Sequence, residues 1–310
     1  MKRKDLLDLQ SLDVDEIAYL LDTAESFGEV VARPVKKVPT LRGKSVAMLF
    51  FEPSTRTRTS FEAAAKIMSA DTYNLTGTTS SAVKGESLKD TLLTLDAMGI
   101  DAFVIRHGAS GAAQLAAKYV PHKPVINAGD GTHEHPTQGL LDLLTIRQVK
   151  GRLGGLTVAI VGDILHSRVA RSNVWGLHKM GARVRLIGPP TLLPAGAENL
   201  PVEVFTNLED GLRGADVVNV LRIQLERQDA AFFPSVREYA RLFGVSRAKL
   251  KGAAPDVTVL HPGPMNRGVE IESALADDAQ YAVITHQVTN GVAVRMAALF
   301  WLMGANQGDL

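Results

Sequence analysis

The chain has 310 residues, 45% of them hydrophobic, with 34 basic side chains against 33 acidic ones and no cysteine. Near-cancelling charge without a run of one sign argues against a nucleic-acid groove or an anionic membrane surface as partner. The missing thiols exclude disulfides, Cys-ligated zinc and a cysteine nucleophile, and fit a reducing cytoplasm. The basic start Lys2-Arg3-Lys4 runs into Asp5, Asp8 and Asp13, which break the apolar stretch an export signal needs, so no such signal is expected. No segment approaches the ~18 uninterrupted apolar residues of a membrane span, and the length sets a soft prior of two domains.

In chain order, Asp13 and Glu16 form a capping-box pattern ahead of Ile17, Leu20, Leu21 and Ala24, which repeat at helical spacing. Residues 45–51 predict a buried strand, entered from the turn at Gly43, and Phe61, Ala64, Ala65 and Met68 predict a helix behind it. Short strands are expected near 72–75, 102–105 and 125–127. Residues 76–85, rich in Thr, Ser and Gly, predict a loop, and Ser87 opens a helix carrying Leu88, Leu92 and Leu95 that ends at Gly99. A second series follows residues 151–155: a strand at 157–161, a helix ending at Gly181, and strands near 184–187, 202–205, 217–220 and 257–260. A last helix, apolar around most of its girth, is expected over 290–303 with its stop at Gly304. Alternating strands and helices predict parallel sheets with crossover helices. The fold class is therefore α/β with two domains, joined by the helix that starts near His135. Ligands in such sheets sit beyond the carboxyl ends of strands.

Three patterns fall away. Gly43-Lys44-Ser45 lacks the earlier glycine of a phosphate-binding loop (position 38 is Val38) and precedes a strand. Gly162 follows a strand without a G-x-G-x-x-G run. His133 and His135 resemble an H-x-H metal pair, but His107, His166, His178, His261 and His286 show no spacing that would complete it; no metal is expected.

The densest chemical signal is Phe50-Phe51-Glu52-Pro53-Ser54-Thr55-Arg56-Thr57-Arg58-Thr59-Ser60. A buried strand ends, Pro53 turns the chain, and a helix N-terminus follows. Such a terminus presents free N–H groups and a positive dipole end. Ser54, Thr55 and Thr57 add hydroxyl donors, and Arg56 adds a fork suited to phosphate oxygens. An ordinary cap would explain one hydroxyl, not this density of donors.

This segment resembles the carbamoyl-phosphate motif of the aspartate and ornithine carbamoyltransferases, and the resemblance spans the chain. Val104-Ile105-Arg106-His107 is similar to the family's strand-end arginine, His135-Pro136-Thr137-Gln138 to its H-P-x-Q signature, and His261-Pro262-Gly263-Pro264 to its late H-P-x-P loop. The resemblance implies that Ser54, Thr55, Arg56 and Thr57 hold the phosphate. Thr57, Arg106 and His135 would donate to the carbamoyl oxygen; Gln138 and the backbone at Gly263 and Pro264 would fix the carbamoyl NH2. The plainer alternatives are a helix-capping His135, a solvated Gln138, and an Arg106 paired with Asp101 or another carboxylate. The implied domains are 1–136 plus 288–310 for carbamoyl phosphate and 137–287 for the acceptor.

Leu221-Arg222-Ile223-Gln224 resembles the R-x-Q loop of the aspartate branch, and the ornithine branch's Cys and S-M-G segment are missing. Arg222 and Gln224 would then take the side-chain carboxylate of aspartate and Arg168 its α-carboxylate, unless these arginines are surface residues of helix ends. Ser80 and Lys84 match the family's mobile loop, which reaches into a neighbouring subunit's site; a cytoplasmic homotrimer with shared active sites is implied. The expected reaction uses no metal or organic cofactor: the aspartate amine attacks the carbamoyl carbon, an oxyanion forms against donors already aimed at it, and phosphate leaves with the proton, stabilised by Arg56, Lys84 and the helix end. The two cationic clusters are expected to converge without acidic groups of their own, in a cleft that closes after carbamoyl phosphate has bound. Ornithine or another amine as acceptor, and a non-catalytic scaffold, stay open as alternatives, as do a regulatory chain or a dihydroorotase as partner.

Overall fold

Five of the six residues of β1 (Ser45–Phe50) are buried, as in a strand covered on both faces. The computed structural model describes residues 3–76, 86–223 and 235–304, and divides into two units, Met1–Leu141 with Thr289–Leu310, and Asp142–Val288.

In the first unit, α1 (Val14–Ala32) starts at the predicted capping box: Asp13 accepts the Glu16 N–H at 2.8 Å, and Glu16 accepts the Asp13 N–H at 2.9 Å. After β1 come α2 (Thr55–Ile67), β2 (Asp71–Thr76), α3 (Leu88–Ala97), β3 (Ala102–His107), α4 (Ala112–Tyr119) and β4 (Val125–Asp130). The four strands are parallel in the order β2-β1-β3-β4. The chain builds outward from β1 to β2, then returns to lay β3 on the other side. The order therefore reverses between β1 and β3, and in an open α/β sheet the carboxyl end of that gap is the ligand crevice. Asp101, just before β3, accepts both the N–H and the hydroxyl of Ser45, at 2.9 and 3.0 Å. That pins the opposite, amino end of the β1–β3 pair.

Helix α5 (Pro136–Lys150) carries the chain into the second unit. There β5 (Thr157–Val161), α6 (Arg168–Lys179), β6 (Arg183–Ile187), β7 (Val202–Phe205), α7 (Leu208–Leu212), β8 (Val217–Val220), α8 (Val236–Phe243), β9 (Thr258–Leu260) and α9 (Ser273–Ala276) follow. The parallel order is β7-β6-β5-β8-β9, with its reversal between β5 and β8. The device at the amino end recurs: Asp216, just before β8, accepts the Thr157 N–H at 2.7 Å. The core here gathers Val161, Ile187, Val218, Val220, Tyr239 and Ile271. Helix α10 (Ile284–Met303) returns to the first unit, where Arg295 lies 5.0 Å over the ring of Phe61 on α2.

The strands expected from the sequence form, with ends shifted by up to three residues, the most at β4, which runs on to Asp130. Helix α10 begins at Ile284 rather than at residue 290, because its first turns are polar and carry no apolar repeat. Helices α4, α7, α8 and α9 were not predicted. They are short, and α4 starts from Gly111 at φ +85° without a capping side chain, so it lacks a start signal.

Candidate active site

Both sheet reversals carry residues singled out by the sequence. In the first unit, β1 ends at Phe50 and Ser54 caps α2 with extended backbone, its side chain making no capping hydrogen bond. The first ladder bond of α2 runs from the Arg58 N–H to the Ser54 carbonyl at 3.2 Å; ahead of it the backbone N–H groups of an α-helix point out of its end. Thr57 is buried and Arg56 exposed. Directly across the gap, Arg106 stands in register with Phe50. Arg106 Nη1 donates to the Ala128 carbonyl on β4 at 3.2 Å, and Nη2 lies 3.4 Å from Glu52 Oε1. The plainer reading, a pairing with Asp101 or another carboxylate, is met by Glu52; Asp101 sits at the other end of β3, bonded to Ser45. The expectation of a cationic cluster without an acidic group is corrected here: Glu52 stands beside Arg106, where its charge offsets the cost of holding a half-buried guanidinium. Glu52 is the one carboxylate between Phe50 and Ser60, and no sequence motif assigns it a role.

The third wall of this edge is the turn after β4. Asn127 donates to Asp130 at 2.7 Å and to the Leu7 carbonyl at 2.8 Å. Asp130 also accepts the Gly111 N–H at 2.7 Å and lies 3.1 Å from His133 Nδ1. Burial disfavours the Asp130 carboxylate, but its bonds to His133, Asn127 and Gly111 outweigh that and hold it below the usual range. The hydrogen bond to Asp130, against some burial, raises His133. Glu134 accepts the Leu9 N–H at 2.8 Å, tying the N-terminal segment to the same turn. The turn closes with a bridge between Asp130 and Glu134 and delivers His135, buried, to the start of α5. The His135 carbonyl accepts the Gln138 N–H at 2.9 Å, so His135 does cap this helix through its backbone. Gln138 is buried rather than solvated. His133 belongs to this turn, and among the described residues no three His, Asp or Glu side chains are grouped as a metal site requires.

In the second unit, β5 leads through Gly162 to Asp163, whose carboxylate lies 2.9 Å from His166 Nδ1. Gly162 has φ +131°, and a Cβ there would sit 3.1 Å from the Leu221 carbonyl; the strand exits approach too closely for a side chain. Ser167 caps α6 by accepting the Ala170 N–H at 3.1 Å. Arg168, the first residue of α6, is 4% exposed, not the surface arginine of the plainer reading. Across the reversal, Arg222 follows β8 and is half-buried. The late loop runs from buried His261 through Gly263 and Pro264, joined by a cis peptide bond. Ser80, Lys84 and Gln224 lie outside the described residues.

A buried polar hub escaped the sequence reading. Asp142 of α5 accepts from Asn173 of α6 at 2.8 Å, Asn219 of β8 at 3.2 Å and Gln287 of α10 at 2.8 Å. One signal was legible: Asn219 interrupts the apolar run Val217-Val218-Val220, and a polar residue in a fully covered strand needs a partner.

These features define a two-unit parallel α/β protein with a donor-rich helix end at one sheet reversal and buried or half-buried arginines at the other, an arrangement suited to binding small anions. The comparisons agree with that class and narrow it. Residues 4–148 match the carbamoyl-P binding domain, and residues 154–302 the Asp/Orn binding domain, of aspartate/ornithine carbamoyltransferase. The chain is 63% identical over 305 residues to the aspartate carbamoyltransferase catalytic subunit of Heliobacterium modesticaldum, covering 98% of this chain and 97% of that one. It is 61% identical to the subunit of the same name from Desulforamulus reducens, covering 98% and 96%. Among solved structures, aspartate transcarbamoylase from Trypanosoma cruzi in complex with N-(phosphonacetyl)-L-aspartic acid is similar with a TM-score of 0.88 at 30% identity, over 98% of this chain and 97% of that one. Ornithine carbamoyltransferase from Pyrococcus furiosus reaches 0.85 at 30% identity, over 98% of each chain. The chain belongs to the aspartate/ornithine carbamoyltransferase family.

Proposed function

We propose that this chain transfers the carbamoyl group of carbamoyl phosphate to the α-amine of L-aspartate, giving N-carbamoyl-L-aspartate and phosphate, as a step of pyrimidine biosynthesis. The observation that carries the phosphate half is the α2 N-terminus, with Ser54, Thr55, Arg56 and Thr57 gathered at the carboxyl end of β1 and Arg106 in register across the sheet reversal. Backbone N–H groups, hydroxyls and a guanidinium at one helix end make a dianion site. Thr57, Arg106 and His135 donate to the carbamoyl oxygen, where an oxyanion develops. Gln138 and the backbone at Gly263 and Pro264 take the NH2 group.

The acceptor half rests on Arg168 and Arg222, which flank the second reversal, with Gln224 as a further ligand. Two arginines on one side of the reaction suit a dicarboxylate and disfavour the cationic side chain of ornithine. The relatives above 60% identity bear the aspartate name, whereas the ornithine enzyme of Pyrococcus furiosus is 30% identical. Ser80 and Lys84 act from a neighbouring subunit of a cytoplasmic homotrimer, a reading supported by the sequence resemblance of their loop. A regulatory chain or a dihydroorotase is a further partner consistent with that resemblance.

The direct test supplies carbamoyl phosphate with L-aspartate or L-ornithine in parallel and measures ureido product. Carbamoyl-aspartate alone is expected. Product from ornithine only would overturn the acceptor assignment, and product from neither would overturn the catalytic reading.

A further inference from the structure

Beyond the side chains given roles above, the carboxyl edge of the second unit's sheet holds a chain of buried polar groups. His261 is 2% exposed and Glu270 fully buried. The Gly263 N–H donates to His261 Nδ1 at 2.8 Å, so that nitrogen keeps its lone pair and the ring proton sits on Nε2. Nε2 lies 3.1 Å from Glu270 Oε1. The same carboxylate oxygen accepts the Asn266 backbone N–H at 2.5 Å. Asn266 then sends its side-chain amide across to the Ile223 carbonyl at 3.0 Å, one residue past Arg222.

This link stands where regular structure stops. The last paired residues of β8 and β9 are Asn219 and Leu260, and among the described residues no ladder pair joins the two exits beyond them. One exit carries Arg222; the other carries Gly263 and Pro264. The late loop is itself anchored from behind, since the His261 N–H donates to Gln287 Oε1 at 2.9 Å and Gln287 donates to Asp142. A rigid loop thus holds out one amide, and that amide grips the backbone beside the acceptor arginine.

We propose that Asn266 is a positioning residue for the acceptor: through the Ile223 carbonyl it fixes the chain leaving β8, and so the Arg222 guanidinium, while the His261–Glu270 pair fixes Asn266. This rests on the assignment of Arg222 to the aspartate side chain. Asn266 touches no substrate in this scheme. Its effect falls on the affinity for aspartate: the phosphate of carbamoyl phosphate is held in the other unit, and Gly263 and Pro264, which take its NH2, keep their own anchor through the bond from the His261 N–H to Gln287.

The test compares wild type with Asn266→Ala, Asn266→Asp, Glu270→Ala and Glu270→Gln. Asp matches Asn in size but has no N–H to give. Both Asn266 variants are expected to raise KM for L-aspartate about tenfold, the scale of one lost hydrogen bond, with the Kd of carbamoyl phosphate measured without aspartate moving less than about twofold. Glu270→Ala is expected to repeat the shift, and Glu270→Gln, whose amide oxygen still accepts, to reverse most of it. A wild-type aspartate KM in Asn266→Asp would overturn the assignment, because only packing would then matter. So would a parallel loss of both affinities with a lowered melting midpoint. Wild-type protein that forms no carbamoyl-aspartate would overturn the acceptor reading itself and this inference with it.

Discussion

Replacing Asp142 by alanine removes one carboxylate and strands three amides at once. Asp142 is fully buried, and its two oxygens hold Asn173, Asn219 and Gln287 at 2.8, 3.2 and 2.8 Å. Hydrogen bonds to a charged group contribute about 1.5–3 kcal/mol each, so simple addition gives roughly 5–9 kcal/mol. The three share one acceptor and are not independent, and relaxation returns part of the loss, which brings the expectation to about 4 kcal/mol. For a folding unit of about 150 residues, 1 kcal/mol moves the midpoint by about 2–4 °C, so Asp142→Ala is expected to melt about 8–16 °C lower. Asp142→Asn keeps one acceptor but turns an NH2 toward an incoming amide donor, and about half that shift is expected. Differential scanning calorimetry at one fixed protomer concentration reads both. Because Gln287 also holds the His261 N–H, turnover at 25 °C should fall with either variant. An alanine variant melting within about 3 °C of wild type would refute the reasoning, since the amides would then find other partners at little cost.

Three further outcomes are expected. Arg56→Ala should lose most activity with an unchanged melting midpoint, because Arg56 is exposed at the start of α2 and packs in no core; near-wild-type turnover would remove it from the phosphate site. Gly131→Ala should cost about 2–4 kcal/mol of stability, because φ is +48° and the new Cβ would overlap the Ser110 hydroxyl and lie 2.5 Å from the Ser110 backbone nitrogen. Adding Ser110→Ala should not rescue it, as the backbone contact stays; a rescued double variant by thermal melting would show otherwise. His133 gains its proton more readily in the folded state than the ordinary 6.5, by its bond to Asp130. Its contribution is therefore complete below about pH 6.5 and is lost as pH rises through the raised folded value. The stability gap between wild type and His133→Gln should be wide at pH 5.5 and narrow at pH 8.5, and melts that show an equal gap at both would contradict the pairing.

Much of the site was legible before the structure because its signals are local. A buried strand, a proline turn and a run of Ser, Thr and Arg mark a helix end as a candidate anion site, and Ser54 to Thr57 stand at the start of α2, where that pattern puts them. The apolar runs at 45–50, 157–161 and 217–220 likewise announce covered parallel strands, and alternation with helices announces the fold class. Asp13 and Glu16 mark the start of α1 because a capping box is complete within four residues.

What the sequence left undetermined depends on distant chain segments meeting. Strand order decided which exits flank a reversal, and only that made Arg106 the neighbour of Phe50 and separated it from Asp101 at the opposite end of the same strand. Glu52 became the partner of Arg106 across 54 positions, Asp142 the hub of three elements, and Asn266 the clamp on Ile223 across 43. A lone carboxylate or amide in a sequence has no period and no spacing to betray its partner. Its role is fixed when burial removes water and leaves one specific group within hydrogen-bond reach, and that is a property of the tertiary structure.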